Sequence, residues 1–98
     1  MENFINKYVV VRGDRSGVFA GTLVKKEGQD VTLKDSRRLW YWDGANSISQ
    51  IANEGVKRSE GCRFSVTVED VMICDAIEVL VCTEAAEEII KKVPEWKQ

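Results

Sequence analysis

Ninety-eight residues suit a single domain spanning 1–98, with an adequate but thin core of the kind that oligomerisation often supplements. A hydrophobic content of 44% beside 31% charged residues excludes a disordered chain. The formal net charge of −2, from 14 Lys/Arg and 16 Asp/Glu, argues against a nonspecific nucleic-acid binder.

Lys7 to Arg12, KYVVVR, is a β-branched run that predicts a first strand. GDRSG follows as a turn carrying Arg15. Gly17 to Lys25 predicts a second strand, in which Gly17 and Gly21 point to a bend, a bulge or close approach of another backbone. EGQD at 27–30 predicts a hairpin turn, Val31 to Lys34 a third strand, Asp35-Ser36 a second short turn, and Arg37 to Trp42 a fourth strand. Ser47 is placed to cap a short helix, SISQIANEG, closed by Gly55, with Ile48, Ile51 and Ala52 on one face. A turn at Glu60-Gly61, a strand near Arg63 to Val68, and strands at Val71 to Ile73 and Ala76 to Cys82 come next, the last apolar enough to be central. Thr83 caps a C-terminal helix with Glu84, Glu87 and Glu88 near its start and Lys91-Lys92 near its end; Pro94 stops it and Trp96 folds back as an anchor. The expected fold is α+β: a small, strongly bent antiparallel β-sheet or SH3-like barrel with a short central helix and a C-terminal helix.

The chemistry concentrates in RRLWYWDG, residues 37–44, which holds two of the three tryptophans, one of the two tyrosines and two adjacent arginines. Strand alternation puts Arg38, Trp40 and Trp42 on one face and Arg37, Leu39 and Tyr41 on the other. Each face then carries a cation and a large aromatic, so neither is expected to be a simple core face. Core or subunit packing would use the same residue types. The functional alternative is a site for a planar anion: the aromatic rings stack a base, and guanidinium groups clamp a phosphate. Met1 to Asp43 holds eight Lys/Arg against six Asp/Glu, and the remainder six against ten, so an anion site belongs in the N-terminal half.

Asp43 and Asn46 could meet base edges, Ser47 and Ser49 sit at a helix start that attracts phosphate, and Arg15 adds a loop cation. The candidate ligand-binding residues are therefore Arg15, Arg37, Arg38, Trp40, Tyr41, Trp42, Asp43, Asn46, Ser47 and Ser49. The chain has no histidine and no Walker-type glycine loop, and Glu69-Asp70 reads as a solvated turn, so no catalytic residue, metal or cofactor is expected. Cys62, Cys74 and Cys82 lack metal-ligand spacing and read as buried, reduced thiols of a cytosolic protein. The stretch MENFINKYVVVRG has no long apolar core, and no run is long enough to span a bilayer; neither a secretion signal nor a membrane segment is expected.

GVFAG (17–21), RRLWYWDGANSISQIA (37–52) and CTEAAEEIIKKVPEWK (82–97) resemble a widespread family of short bacteriophage proteins, most specifically in the LWYWDGA core. Such phage proteins include small, non-enzymatic sponges for the cyclic oligonucleotides or cyclic ADP-ribose derivatives used by host systems such as CBASS and Thoeris. The resemblance implies a homo-oligomer in the host cytoplasm that holds a cyclic nucleotide-type small molecule without cutting it. The same strand would alternatively serve as the interface of a protein-binding inhibitor of a host enzyme.

Overall fold

The structure, a computed structural model, describes residues 2–97. The first strand, β1 (Tyr8–Gly13), is buried on both faces, as its unbroken valine run demands. It pairs antiparallel with β2 (Val18–Glu27), which turns through Gly28-Gln29 into β3 (Asp30–Tyr41). β4 (Arg63–Phe64) and β5 (Val68–Ile73) both pair with β3, and β6 (Ala76–Val81) pairs with β1. The result is a six-stranded antiparallel sheet in the order β4-β3-β2-β1-β6, with β5 beside β3. Its edge strands β5 and β6 meet at the two-residue Cys74-Asp75 link but do not pair, so the sheet curls strongly without closing into a barrel.

Two cores follow from the period-two alternation of β1. Val9 and Val11 face the concave side, where they meet Phe19, Leu23, Val31, Leu33 and Ile73. Tyr8 and Val10 face the convex side, where α1 (Ile48–Glu54) and α2 (Glu84–Lys92) close over them through Ile51, Ala52, Ala86 and Ile90. Ser47 Oγ accepts from Gln50 N at the start of α1, and Thr83 Oγ1 accepts from Ala86 N at the start of α2. Gly55 ends α1 at φ 74, and a Cβ there would stand 2.8 Å from Ile89 Cγ2; the glycine lets the two helices approach.

The expected turn at Asp35-Ser36 is instead a bulge inside one continuous β3. Ala20 pairs with Arg37 and Thr22 with Lys34, so Asp35 and Ser36 together oppose Gly21. Asp35 takes φ 51, and a Cβ on Gly21 would lie 3.1 Å from Lys34 O and from Ser36 Cβ. The close backbone approach expected at Gly21 is thus present. The extra residue reverses the phase of β3: Val31 and Leu33 enter the concave core, but Leu39 enters the convex one.

Three other expectations change. The strand foreseen from Arg63 to Val68 breaks after Phe64 and resumes at Val68, because Arg38 binds Ser65 through both backbone and hydroxyl rather than continuing the ladder. The β6 strand is an edge and not central; Val79 and Val81 pack on one core and Leu80 on the other, each only partly buried, and Ile77 is exposed. Glu69-Asp70 lies within β5 and remains solvated, with Lys34 Nζ 4.0 Å from Asp70 Oδ1. Trp96 does fold back: its backbone N–H donates to Phe64 O at 2.8 Å.

Candidate ligand cleft

The phase reversal at Asp35-Ser36 decides what the two arginines do. Arg37 points into the convex core and is 3% exposed. Its Nε donates to Ser65 O at 2.9 Å and its Nη1 to Ile90 O at 2.8 Å, while its plane lies over Phe64. Burial draws its pKa below the ordinary guanidinium value. The expectation that Arg37 clamps a phosphate is therefore corrected, and so is the expectation that neither face is a core face. The Arg37–Leu39 face is core, and backbone carbonyls satisfy the cation.

Arg38 points the other way and is half-buried. Its guanidinium lies 4.4 Å from the Phe19 ring centroid and 5.8 Å from that of Trp40, and its Nη1 donates to Ser16 O. A second bulge follows, because Leu39 pairs with Phe64 and Tyr41 with Arg63. It turns both Trp40 and Tyr41 outward, at 63% and 57% exposure. Trp42 returns toward the convex core and is half-buried there.

Arg15, Arg38, Trp40 and Trp42 line one open cleft of about 460 Å³, with Ser16 to Val18 as its floor. No carboxylate lines it. The Arg15 loop is set by Asp75, which accepts from Arg15 N at 2.7 Å, Ser16 N at 2.9 Å and Ser16 Oγ at 2.6 Å. These bonds, the Ser16 hydroxyl foremost, hold the Asp75 carboxyl below its usual range. On the far side of Trp42 lies a second cleft of about 340 Å³, lined by Asp43, Asn46, Gln50, Lys57 and Arg58 among others. Arg58 donates to Asp43 Oδ1 from Nε at 3.0 Å and from Nη2 at 2.8 Å, which lowers the carboxyl's pKa.

The remaining candidates stand apart. Tyr41 lies beside Arg63, whose guanidinium also covers Trp96, on the β4 side of the sheet. Ser47 is committed to capping α1, Ser49 is exposed on its first turn, and neither lines the two clefts. A helix of seven residues is too short to make an anion site of its N-terminus alone. Lys57, Arg58 and Asp75 were missed in the sequence. Only the adjacency of Lys57 and Arg58 hinted at a role, and nothing local marked Asp75, which acts from β6's approach.

Among the described residues no group of three His, Cys, Asp or Glu could hold a metal ion. The cysteines are all unpaired: Cys62 is buried, Cys82 half-buried, and Cys74 exposed, the last contrary to expectation because it sits in the link between β5 and β6. Burial pushes the Cys82 thiol up to about 12 and raises that of Cys62. Among the described residues no helix is long and apolar enough to cross a membrane.

Fold and cleft together define a class: a small α+β domain presenting one exposed indole, one half-buried indole and two guanidinium groups around one open surface. The chain belongs to the family described as domain of unknown function (DUF6948), which matches residues 6–90. No curated protein matches the sequence.

Proposed function

We propose that the protein is a non-catalytic binder of a nucleotide-type small molecule. In this reading it is encoded by a phage, works as a homo-oligomer in the host cytoplasm, and sequesters a cyclic oligonucleotide or cyclic ADP-ribose derivative that serves as an immune signal. The observation that carries the reading is the cleft in which Trp40, well exposed, stands beside Arg38 and Arg15 with no acid on its walls. A base stacked on an indole gains about 1–3 kcal/mol. Arg38 has one nitrogen engaged by Ser16 O, which fixes the side chain and leaves donors for a phosphate. A sponge needs slow release, and a rigid, preset guanidinium favours it by lowering the ordering cost of binding.

Calorimetry against a panel of cyclic dinucleotides and cyclic ADP-ribose isomers tests the proposal. It predicts stoichiometric binding and chemically unchanged ligand on release. Silence across the panel removes it, and altered ligand would mark an enzyme.

A second reading is supported by a separate observation. Tyr41, Arg63 and Trp96 form an exposed aromatic–arginine stack of the types enriched at protein interfaces. In that reading the protein inhibits a host enzyme by contact. A single stoichiometric host protein captured by the wild type but not by Tyr41→Ala would favour it.

A further inference from the structure

The concave face carries another recess, next to the proposed cleft and outside it. It measures about 180 Å³ and is walled by Phe19, Val66, Val68 and Val71, with Ser36, Ser65 and Arg38 completing it. Ser36 is 1% exposed, and its Oγ has no hydrogen-bond partner among the described residues. A buried hydroxyl without a partner lowers stability, so packing alone gives no reason for one here. Valine or alanine would suit the apolar walls better. The bulge and the side-chain-free Gly21 beneath it are what bring Ser36 to this position.

Arg38 borders both spaces. It lines the recess as well as the larger cleft, and its guanidinium lies between Phe19 on one side and Trp40 on the other. The recess is too small for a whole ligand, since such pockets run to about 300–1,000 Å³, but it suits one ring or one comparable group. Its walls are mostly apolar, as a base face requires, and the Ser65 hydroxyl is already spent, accepting from Arg38 N and donating to Val66 O. Its one free polar group both donates and accepts, so it can meet the edge of a base in either sense.

We propose that the recess is the second half of a bipartite site, and that the ligand carries two nucleobases joined through phosphate. One base stacks on Trp40, the phosphate lies at Arg38, and the edge of the second base meets Ser36 Oγ. The inference rests on the nucleotide reading above and narrows it from single-base signals to two-base ones.

The test uses the full chain and a fixed set of probes: cyclic di-AMP, cyclic di-GMP and cyclic GMP-AMP, with AMP, GMP and cyclic ADP-ribose as single-base controls. Wild type and Ser36→Ala are compared by calorimetry and by thermal melting. Ser36→Ala should raise Tm, because it removes an unpartnered hydroxyl. It should also weaken the best two-base probe by about tenfold, equal to 1.4 kcal/mol, and leave single-base probes unchanged. Val68→Trp, which fills the recess from its rim, should weaken the two-base probes alone and serves as the independent check. Two-base probes that bind wild type and both variants equally would overturn the bipartite site but leave the nucleotide reading standing. Equal weakening of both probe classes by Ser36→Ala, or a lowered Tm, would overturn it as well. No binding of any probe to the wild type would remove both readings together.

Discussion

Replacing Arg37 with methionine keeps most of the side chain's volume and removes its charge and its donors. The two short bonds, 2.9 Å to Ser65 O and 2.8 Å to Ile90 O, would vanish, and both carbonyls would lose a charged donor. Hydrogen bonds to a charged group contribute about 1.5–3 kcal/mol each. Part of that is offset, because no carboxylate forms an ion pair with Arg37 among the described residues and the buried guanidinium has lost its hydration. A net loss of about 2–4 kcal/mol is expected, a large share of the stability of a small domain.

Urea denaturation should show a lower midpoint with an unchanged slope. Arg38→Met is the comparison. It gives up one hydrogen bond and the contact over Phe19, and should cost no more than about 1.5 kcal/mol. Nucleotide binding should respond in the opposite order: lost in Arg38→Met, retained by folded Arg37→Met. An Arg37→Met protein as stable as wild type, or one that is stable but cannot bind, would refute the assignment of the two roles.

Trp40→Ala should leave stability within about 0.5 kcal/mol of wild type, as an exposed side chain allows, yet lower ligand affinity by about 1–3 kcal/mol in calorimetry. Asp75→Asn should loosen the Arg15 loop, visible as faster amide exchange at Arg15 and Ser16. The Asp75 carboxyl titrates below its unfolded value of about 3.9, so its contribution is complete above that pH and is lost as pH falls through the folded pKa. The stability gap between wild type and Asp75→Asn should therefore shrink on acidification below about pH 4, as read by denaturant melts across pH. Alkylation at pH 8 should label Cys74 first and leave Cys62 and Cys82 slow, because Cys62 is buried, Cys82 is half-buried, and burial raises both thiols. Gly21→Ala should destabilise by about 1–3 kcal/mol, since the new methyl meets the β3 backbone at 3.1 Å.

The sequence made several of these features readable, and for physical reasons. The caps Ser47 and Thr83 and the stop at Gly55 are local chemistry, and each acts as expected. The valine run of β1 announces its two-sided burial, and the antiparallel course of the early strands follows from their tight connections. The bulge was hidden because Asp35-Ser36 has the composition of a turn. A turn and a bulge both ask for a residue near the left-handed region, and only the partner strand distinguishes them. Missing it exchanged no residue names but did misjudge Arg37, whose burial depends on phase. Arg15, Arg38, Trp40 and Trp42, which line one cleft, were singled out from residue type alone. Asp75 was not, because it reaches the Arg15 loop from sixty positions away in the chain.

The bulge also means that alignment columns in this family carry less meaning than sheet faces. A relative of the same length in which positions 35 and 36 alternated regularly, without the bulge, would turn its first arginine outward and bury its second, with no change in the dipeptide itself. Two such proteins could look identical at Arg-Arg and yet present opposite guanidiniums to whatever they bind. The pairing opposite Gly21, and not the letters, is what tells the strut from the hand.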